Sequence, residues 1–143
     1  MKGSYAGVLL LFVWARVLGS DGDTLRLTVE WRDKPVSTEA VTLIGVNVGS
    51  RLCQRGRGEP TMLFLQGKRV LLEVEDLSKD VKGRLQVHVW YGGVLLGYAE
   101  TLLAAELLGK GFACTKPAPP HRYQDLYRAI EAGARAEGRG MWR

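Results

Sequence analysis

The feature that most constrains this 143-residue chain is an apolar run near its start, from Tyr5 to Ala15. Lys2 precedes the run and Arg16 follows it. One interpretation is the hydrophobic core of a secretory signal that is cleaved near Gly19 or Ser20. The other is a strand that is buried on both faces. The run is too short to span a membrane comfortably, because a spanning helix needs about 20 apolar residues.

The segment after this run favours the strand interpretation. Residues Ser20 to Asp23 form a typical turn sequence, with Gly22 between two aspartates. From Leu25 to Trp31, apolar and polar residues alternate, which predicts a strand with one face toward solvent. Together these segments predict a hairpin, and cleavage of the first segment would remove one of its two strands.

The remainder of the chain is rich in short stretches typical of strands. Further strands are predicted over residues 38–48, 62–65, 70–74, 85–90, 94–99 and 112–114. Residues 100–108 are rich in Ala, Leu and Glu and are predicted to be a strand that ends in a helical turn. About eight short strands separated by turns predict a mainly β fold, an antiparallel β-sandwich with a C-terminal amphipathic α-helix.

The sequence divides into a β-sandwich over residues 1–115, a proline-rich linker over 116–122, and a C-terminal helix with a basic tail over 123–143. The apolar face of the helix packs either on its own domain or on a partner chain. The candidate partner-docking residues on this face are Tyr123, Leu126, Tyr127 and Ile130.

The net charge of +5 is mild for a nucleic-acid binder, and the chain contains no motif of that class. These observations argue against nucleic acid as a partner. The candidate anionic-surface cluster consists of Arg51, Arg55, Arg57, Lys68 and Arg69. Each cation near an anionic phospholipid surface would contribute about 1 kcal/mol, but we favour the interpretation of a solvated loop.

The residues that could carry chemistry are few. Cys53 and Cys114 are free thiols in a reducing compartment or one disulfide in an oxidising one. The cysteines together with His88 and His121 lack the close spacing of metal ligands, so no metal site is predicted. His88 is expected on the polar face of its strand. The chain has no nucleophile elbow, P-loop, G-x-G-x-x-G or H-E-x-x-H motif. We therefore expect no enzyme activity, no catalytic residue, no cofactor and no small-molecule substrate.

The order of segments resembles that of C2 domains. The segment Gly7–Leu18 (GVLLLFVWARVL) resembles their opening strand. The segments Leu85–Trp90 (LQVHVW) and Leu95–Leu108 (LLGYAETLLAAELL) are similar to their ending. The resemblance covers roughly residues 5–111 and implies the fold of a C2-like β-sandwich.

Calcium-binding C2 domains hold the ion with aspartates clustered in two loops. Here the first such loop keeps Asp21 and Asp23, whereas the loop after Trp90 contains no carboxylate. Two aspartates cannot supply the six to eight oxygen ligands that Ca²⁺ requires. The resemblance therefore implies a calcium-independent domain.

The resulting expectation is a cytoplasmic, non-enzymatic C2-like interaction or scaffold module that docks into a larger protein assembly. Two alternatives stay open. One is an exported cell-surface or filament protein with residues 1–19 cleaved and a Cys53–Cys114 disulfide. The other is a peripheral binder of anionic phospholipid membranes.

Overall fold

The computed structural model describes residues 11–54, 62–75, 79–92, 100–117 and 120–143. The strands are β1 (Leu11–Asp21), β2 (Thr24–Trp31), β3 (Lys34–Leu43), β4 (Val46–Val48), β5 (Arg69–Val74), β6 (Leu85–Tyr91), β7 (Thr101–Leu102) and β8 (Ala113–Thr115). The helices are α1 (Leu103–Gly109) and α2 (Gln124–Ala136), with single 3₁₀ turns at Leu63–Leu65 and Gly140–Trp142. The predicted strand over 94–99 and the first part of the apolar run lie outside the described residues.

Five strands close into a barrel in the order β3-β2-β1-β5-β6. The four neighbouring pairs in this order are antiparallel, and a parallel pairing of β3 with β6 joins the two ends. The expectation of a mainly β chain with a C-terminal helix is confirmed, but the predicted sandwich is wrong. Alternating apolar residues appear in both architectures, so the alternation could not reveal the parallel pairing of Val41–Leu43 with Leu85–Val87.

The predicted first hairpin is present within the described residues. Strand β1 pairs with β2 around a turn at Gly22, whose φ of 60° suits glycine. Strand β1 also pairs with β5, so it is central in the barrel. The fully buried barrel residues include Ala15, Val17, Leu25, Leu27, Val41, Val70, Leu72, Val87 and Val89. These side chains fill the barrel and form the hydrophobic core.

Two predicted strands differ from the structure. The stretch over 38–48 is divided into β3 and β4 at Gly45, whose φ of 78° breaks the extended conformation. The stretch over 62–65 contains a 3₁₀ turn instead of a strand. There Met62 and Leu65 are buried while Leu63 and Phe64 are exposed, a spacing of three that fits a 3₁₀ turn.

The two helices pack beside the barrel. Helix α1 buries Leu103, Leu107 and Leu108, and α2 packs against both α1 and β8. Strand β8 pairs with β4, and a Cys53–Cys114 disulfide joins the same region, with Cα atoms 5.9 Å apart. The structure thus contains the disulfide that the sequence left open. Among the described residues, no helix is both long and apolar enough to cross a membrane.

Candidate functional site

A buried carboxylate anchors the beginning of α2 to the barrel. Glu73 lies in β5, and its side chain is fully buried. Its Oε1 accepts hydrogen bonds from Trp90 Nε1 (2.8 Å) and Tyr123 Oη (2.7 Å). Its Oε2 accepts one from Arg122 Nη1 (3.2 Å). Three donors compensate the loss of hydration, so this buried charge is stably held.

Next to Glu73 lies a second polar group, Glu75, His88 and His121, here called the His–Glu cluster. The ligand-capable atoms of its three side chains all lie within 4.8 Å of one another. The Nε2 atom of His88 is 2.8 Å from Glu75 Oε1, and its Nδ1 atom is 3.4 Å from Tyr127 Oη. His121 accepts a hydrogen bond at Nδ1 from the Tyr123 backbone N–H (3.3 Å). The cluster therefore joins β5, β6 and the segment before α2.

Burial shifts the protonation of the rings in and around this cluster. Burial lowers the pKa of His88, because its effect is larger than the opposing effect of the nearby Glu75 carboxylate. Burial also lowers the pKa of His121, with a further contribution from His88. Burial, followed by the hydrogen bond to Glu73, raises the pKa of Tyr123 to about 12. At neutral pH both imidazoles are thus favoured in the neutral form, which can bind a metal ion, and the tyrosine keeps its proton.

An open pocket of about 300 Å³ adjoins the cluster, and His121 lines it together with Gly45, Lys116 and Arg128. Gly45 has a φ of 78°, and a Cβ atom at this position would collide with Nε2 of His121. Glycine is therefore required here both for its backbone conformation and for the close approach of the ring.

A third polar group lies at the turn between β1 and β2. Arg84 Nη1 donates to Asp23 Oδ1 (3.2 Å) and to Thr24 Oγ1 (2.6 Å), while its Nε donates to Asp80 Oδ2 (2.7 Å). Asp80 also accepts hydrogen bonds from the backbone N–H groups of Lys82 and Arg84. Burial alone would raise the pKa of Asp80, but these hydrogen bonds outweigh it and lower the pKa. The guanidinium of Arg84 is thus held between two carboxylates.

The apolar face of the C-terminal helix lies mostly against its own chain. Tyr127 is buried in the core, and Tyr123 and Ile130 pack against that core. Leu126 differs, because 48% of its surface is exposed. Of the four candidate docking residues, Leu126 is therefore the one that a partner could contact extensively.

The structure engages part of the candidate basic cluster in contacts within the chain. Arg69 forms ion pairs with Glu30 (3.1 Å) and Asp33 (3.0 Å), and its guanidinium lies 4.3 Å from the ring centroid of Trp14. Lys68 and Arg51 are exposed. Arg55 and Arg57 lie outside the described residues.

The sequence predicted neither the network around Glu73 nor the His–Glu cluster. His88 was expected on the polar face of β6 as a surface or interface histidine, but it is only 1% exposed, so a surface position is wrong. Glu73 and Glu75 alternate with apolar residues, as solvent-facing carboxylates do. They are buried or partly buried because the segment around Tyr123 covers this side of the barrel.

Comparison with known proteins identifies one family. A family model described as staphylococcal nuclease homologue matches residues 60–143, more than half of the chain. A search of curated proteins finds no match. The resemblance to C2 domains is wrong, since the family model and the closed five-stranded barrel support an OB-fold of the nuclease type. The hydrophobic spacing that carried the resemblance is shared by many antiparallel folds.

Proposed function

This chain belongs to the staphylococcal nuclease homologue family, and from that premise we propose that it is a non-hydrolytic module that binds a protein partner in a larger assembly. Staphylococcal nuclease is a nuclease, but the family includes non-catalytic members. The proposal therefore depends on whether the residues of this chain can support hydrolysis of a phosphodiester.

The main support for the proposal is that two carboxylates already compensate the positive charge of Arg84. Metal-assisted phosphodiester hydrolysis needs a metal ion, a cation that is free to stabilise the developing phosphate charge, and a group that accepts a proton from water. Arg84 is already paired with Asp23 and Asp80, which leave one net negative charge on the three side chains. A phosphate that approaches this guanidinium at Nε or Nη1 would have to displace a carboxylate.

The end of β3 that lies near the turn between β1 and β2 is Val41–Leu43, which contains no ionisable side chain. Thr42 pairs with Gln86 where β3 and β6 run parallel. The preceding residue, Val41, pairs with Leu25 near the start of β2. The Thr42 hydroxyl is buried and has no hydrogen-bond partner among the described atoms. A threonine at this position therefore adds no general base and no metal-binding carboxylate to those of Asp23 and Asp80.

Ion pairs within the chain reduce what part of its positive charge can contribute to binding a nucleic acid. Of the seventeen lysines and arginines in the described residues, seven lie within 4.0 Å of a carboxylate, namely Arg16, Arg69, Arg84, Lys110, Arg122, Arg135 and Arg139. Binding to a phosphate backbone gains free energy when cations replace condensed counterions. Cations that are already paired contribute less to this exchange.

Exposed apolar side chains at the β2–β3 hairpin also support a protein partner. Trp31 is 63% exposed and Val36 is 58% exposed. Tryptophan is enriched among the residues that dominate binding energy in protein interfaces. We therefore place the partner contact at this hairpin.

A nuclease assay tests the non-hydrolytic part of the proposal. The full-length protein is incubated with single- and double-stranded DNA and RNA in the presence of Ca²⁺, Mg²⁺, Mn²⁺ or Zn²⁺. We expect no cleavage above that of an Arg84→Gln variant prepared in parallel. Cleavage by the wild type that is lost in Arg84→Gln would show a working active site and would refute the proposal.

Isolation of the tagged protein from its native source tests the partner. We expect a stoichiometric protein partner whose recovery falls at least about tenfold with Trp31→Ala. The matched control is Val81→Ala, which removes a fully exposed apolar side chain in a different turn. Recovery of nucleic acid in place of protein would contradict the proposed class of partner. Equal recovery of the partner with Trp31→Ala and Val81→Ala would contradict the proposed contact surface. The cytoplasmic location stays a prediction.

A further inference from the structure

The His–Glu cluster has the composition of a metal site. We propose that Glu75, His88 and His121 bind a divalent cation of the zinc class and thereby link the segment before α2 to β5 and β6. The three side chains offer two imidazole nitrogens and one carboxylate oxygen, within 4.8 Å of one another. This donor set, with a water molecule as fourth ligand, is common in zinc sites.

The distances require only small side-chain movements. Zn²⁺ bonds of 2.0–2.1 Å in a tetrahedral site separate the ligand atoms by about 3.4 Å. The 2.8 Å contact between Glu75 Oε1 and His88 Nε2 would therefore open by about 0.6 Å. The most distant pair of ligand atoms, at up to 4.8 Å, would close by about 1.4 Å. Rotation of the Glu75 and His121 side chains, both partly exposed, can supply such movements.

The surrounding groups fit a metal-bound His88. In the metal-free arrangement, Nε2–H donates to Glu75, and Nδ1 faces Tyr127 Oη at 3.4 Å. With a metal ion on Nε2, the single imidazole proton moves to Nδ1 and donates to Tyr127 Oη. The Arg122 backbone N–H already donates to Glu75 Oε1 (2.8 Å) and would help to orient this ligand. Such outer hydrogen bonds are typical of protein metal sites.

The cluster also has an entry path and a defined selectivity. His121 lines the open pocket of about 300 Å³, so an ion and its water ligand can enter from that side. Ca²⁺ prefers six to eight oxygen ligands, whereas the cluster offers one carboxylate and two nitrogens. We therefore expect the site to select Zn²⁺ over Ca²⁺.

Titration calorimetry on the full-length, tag-free protein after treatment with a chelator tests the site. The chain has two histidines, so the variants His88→Gln and His121→Gln cover every imidazole. We expect one equivalent of Zn²⁺ per chain, and an affinity at least about tenfold lower in each histidine variant and in Glu75→Gln. Glu100→Gln, which changes an exposed carboxylate elsewhere, is the matched control and should bind as the wild type does.

Two further measurements keep the test decisive if His88→Gln fails to fold. His121 is partly exposed, so His121→Gln should fold, which circular dichroism will verify. Zn²⁺ at one hundred times its Kd should raise the Tm of the wild type by about 5 °C or more, and that of His121→Gln by much less. No Zn²⁺ binding by the wild type, equal binding by His121→Gln, or equal binding of Ca²⁺ would each overturn the proposal.

Discussion

Replacing Tyr123 with phenylalanine tests whether the buried Glu73 network holds the beginning of α2 on the barrel. The substitution removes a single hydroxyl group, which donates to Glu73 Oε1 at 2.7 Å. The raised pKa of Tyr123, about 12, means that this hydroxyl keeps its proton throughout the neutral range. The carboxylate would keep its hydrogen bonds from Trp90 and Arg122.

The magnitude follows from the burial of the acceptor. A hydrogen bond to a charged group contributes about 1.5–3 kcal/mol, and the fully buried Glu73 cannot replace the lost donor with bulk water. We expect the free energy of unfolding to fall by about 2 kcal/mol, because two donors remain. For a chain of this size, that loss corresponds to a decrease in Tm of about 4–8 °C.

The assay is urea unfolding followed by circular dichroism, with Tyr91→Phe as the matched control. Tyr91 is partly exposed and lies outside the Glu73 network, so removal of its hydroxyl should change stability by less than about 0.5 kcal/mol. A double-mutant cycle of Tyr123→Phe with Glu73→Gln should give a coupling energy of about 1 kcal/mol or more. Equal stability of Tyr123→Phe and Tyr91→Phe, or a coupling energy near zero, would refute the reasoning.

Three further predictions concern the pH dependence, the disulfide and Gly45. Because the folded pKa of His88 lies below its unfolded value of about 6.5, its contribution to stability is complete above pH 6.5 and is lost as the pH falls through the folded value. Urea titrations with a chelator present should show this loss in the wild type and a smaller one in His88→Gln; parallel curves would contradict it. Reduction of the Cys53–Cys114 disulfide, which spans 61 residues, should lower the free energy of unfolding by about 4 kcal/mol, and an unchanged urea midpoint would disprove that estimate. Gly45→Ala should destabilise the fold by about 1–3 kcal/mol because of its positive φ and its contact with His121, whereas Gly133→Ala, in open space within α2, should not destabilise it.

Much of the secondary structure could be predicted from local sequence. The alternation over Leu25–Trp31 and Leu85–Trp90 located β2 and β6, because one face of each strand packs on the core. The turn at Gly22 and the apolar spacing of α2 were equally local signals. The 3₁₀ turn at Leu63–Leu65 was mistaken for a strand, since the four-residue apolar run over 62–65 fits both structures.

The candidate site was far less accessible to such reasoning. His88, Glu73 and Glu75 follow the period-2 pattern of solvent-facing residues, and nothing in that pattern reveals that another segment covers them. His121 lies 33 positions after His88, so their proximity depends on the path of the intervening chain. The basic cluster shows the opposite case: Arg69, predicted to be free for a partner, forms ion pairs with Glu30 in β2 and with Asp33 in the turn that follows β2.

The sequence by itself determined that the chain is mainly β, where several of its strands lie, and that an amphipathic helix follows them. These properties depend on residues that are neighbours along the chain. Only the tertiary structure decided that the strands close into a barrel, that Cys53 meets Cys114, and that Glu75, His88 and His121 meet beside α2. Each of these outcomes depends on contacts between distant segments, and their free energy arises from the packing of the whole chain.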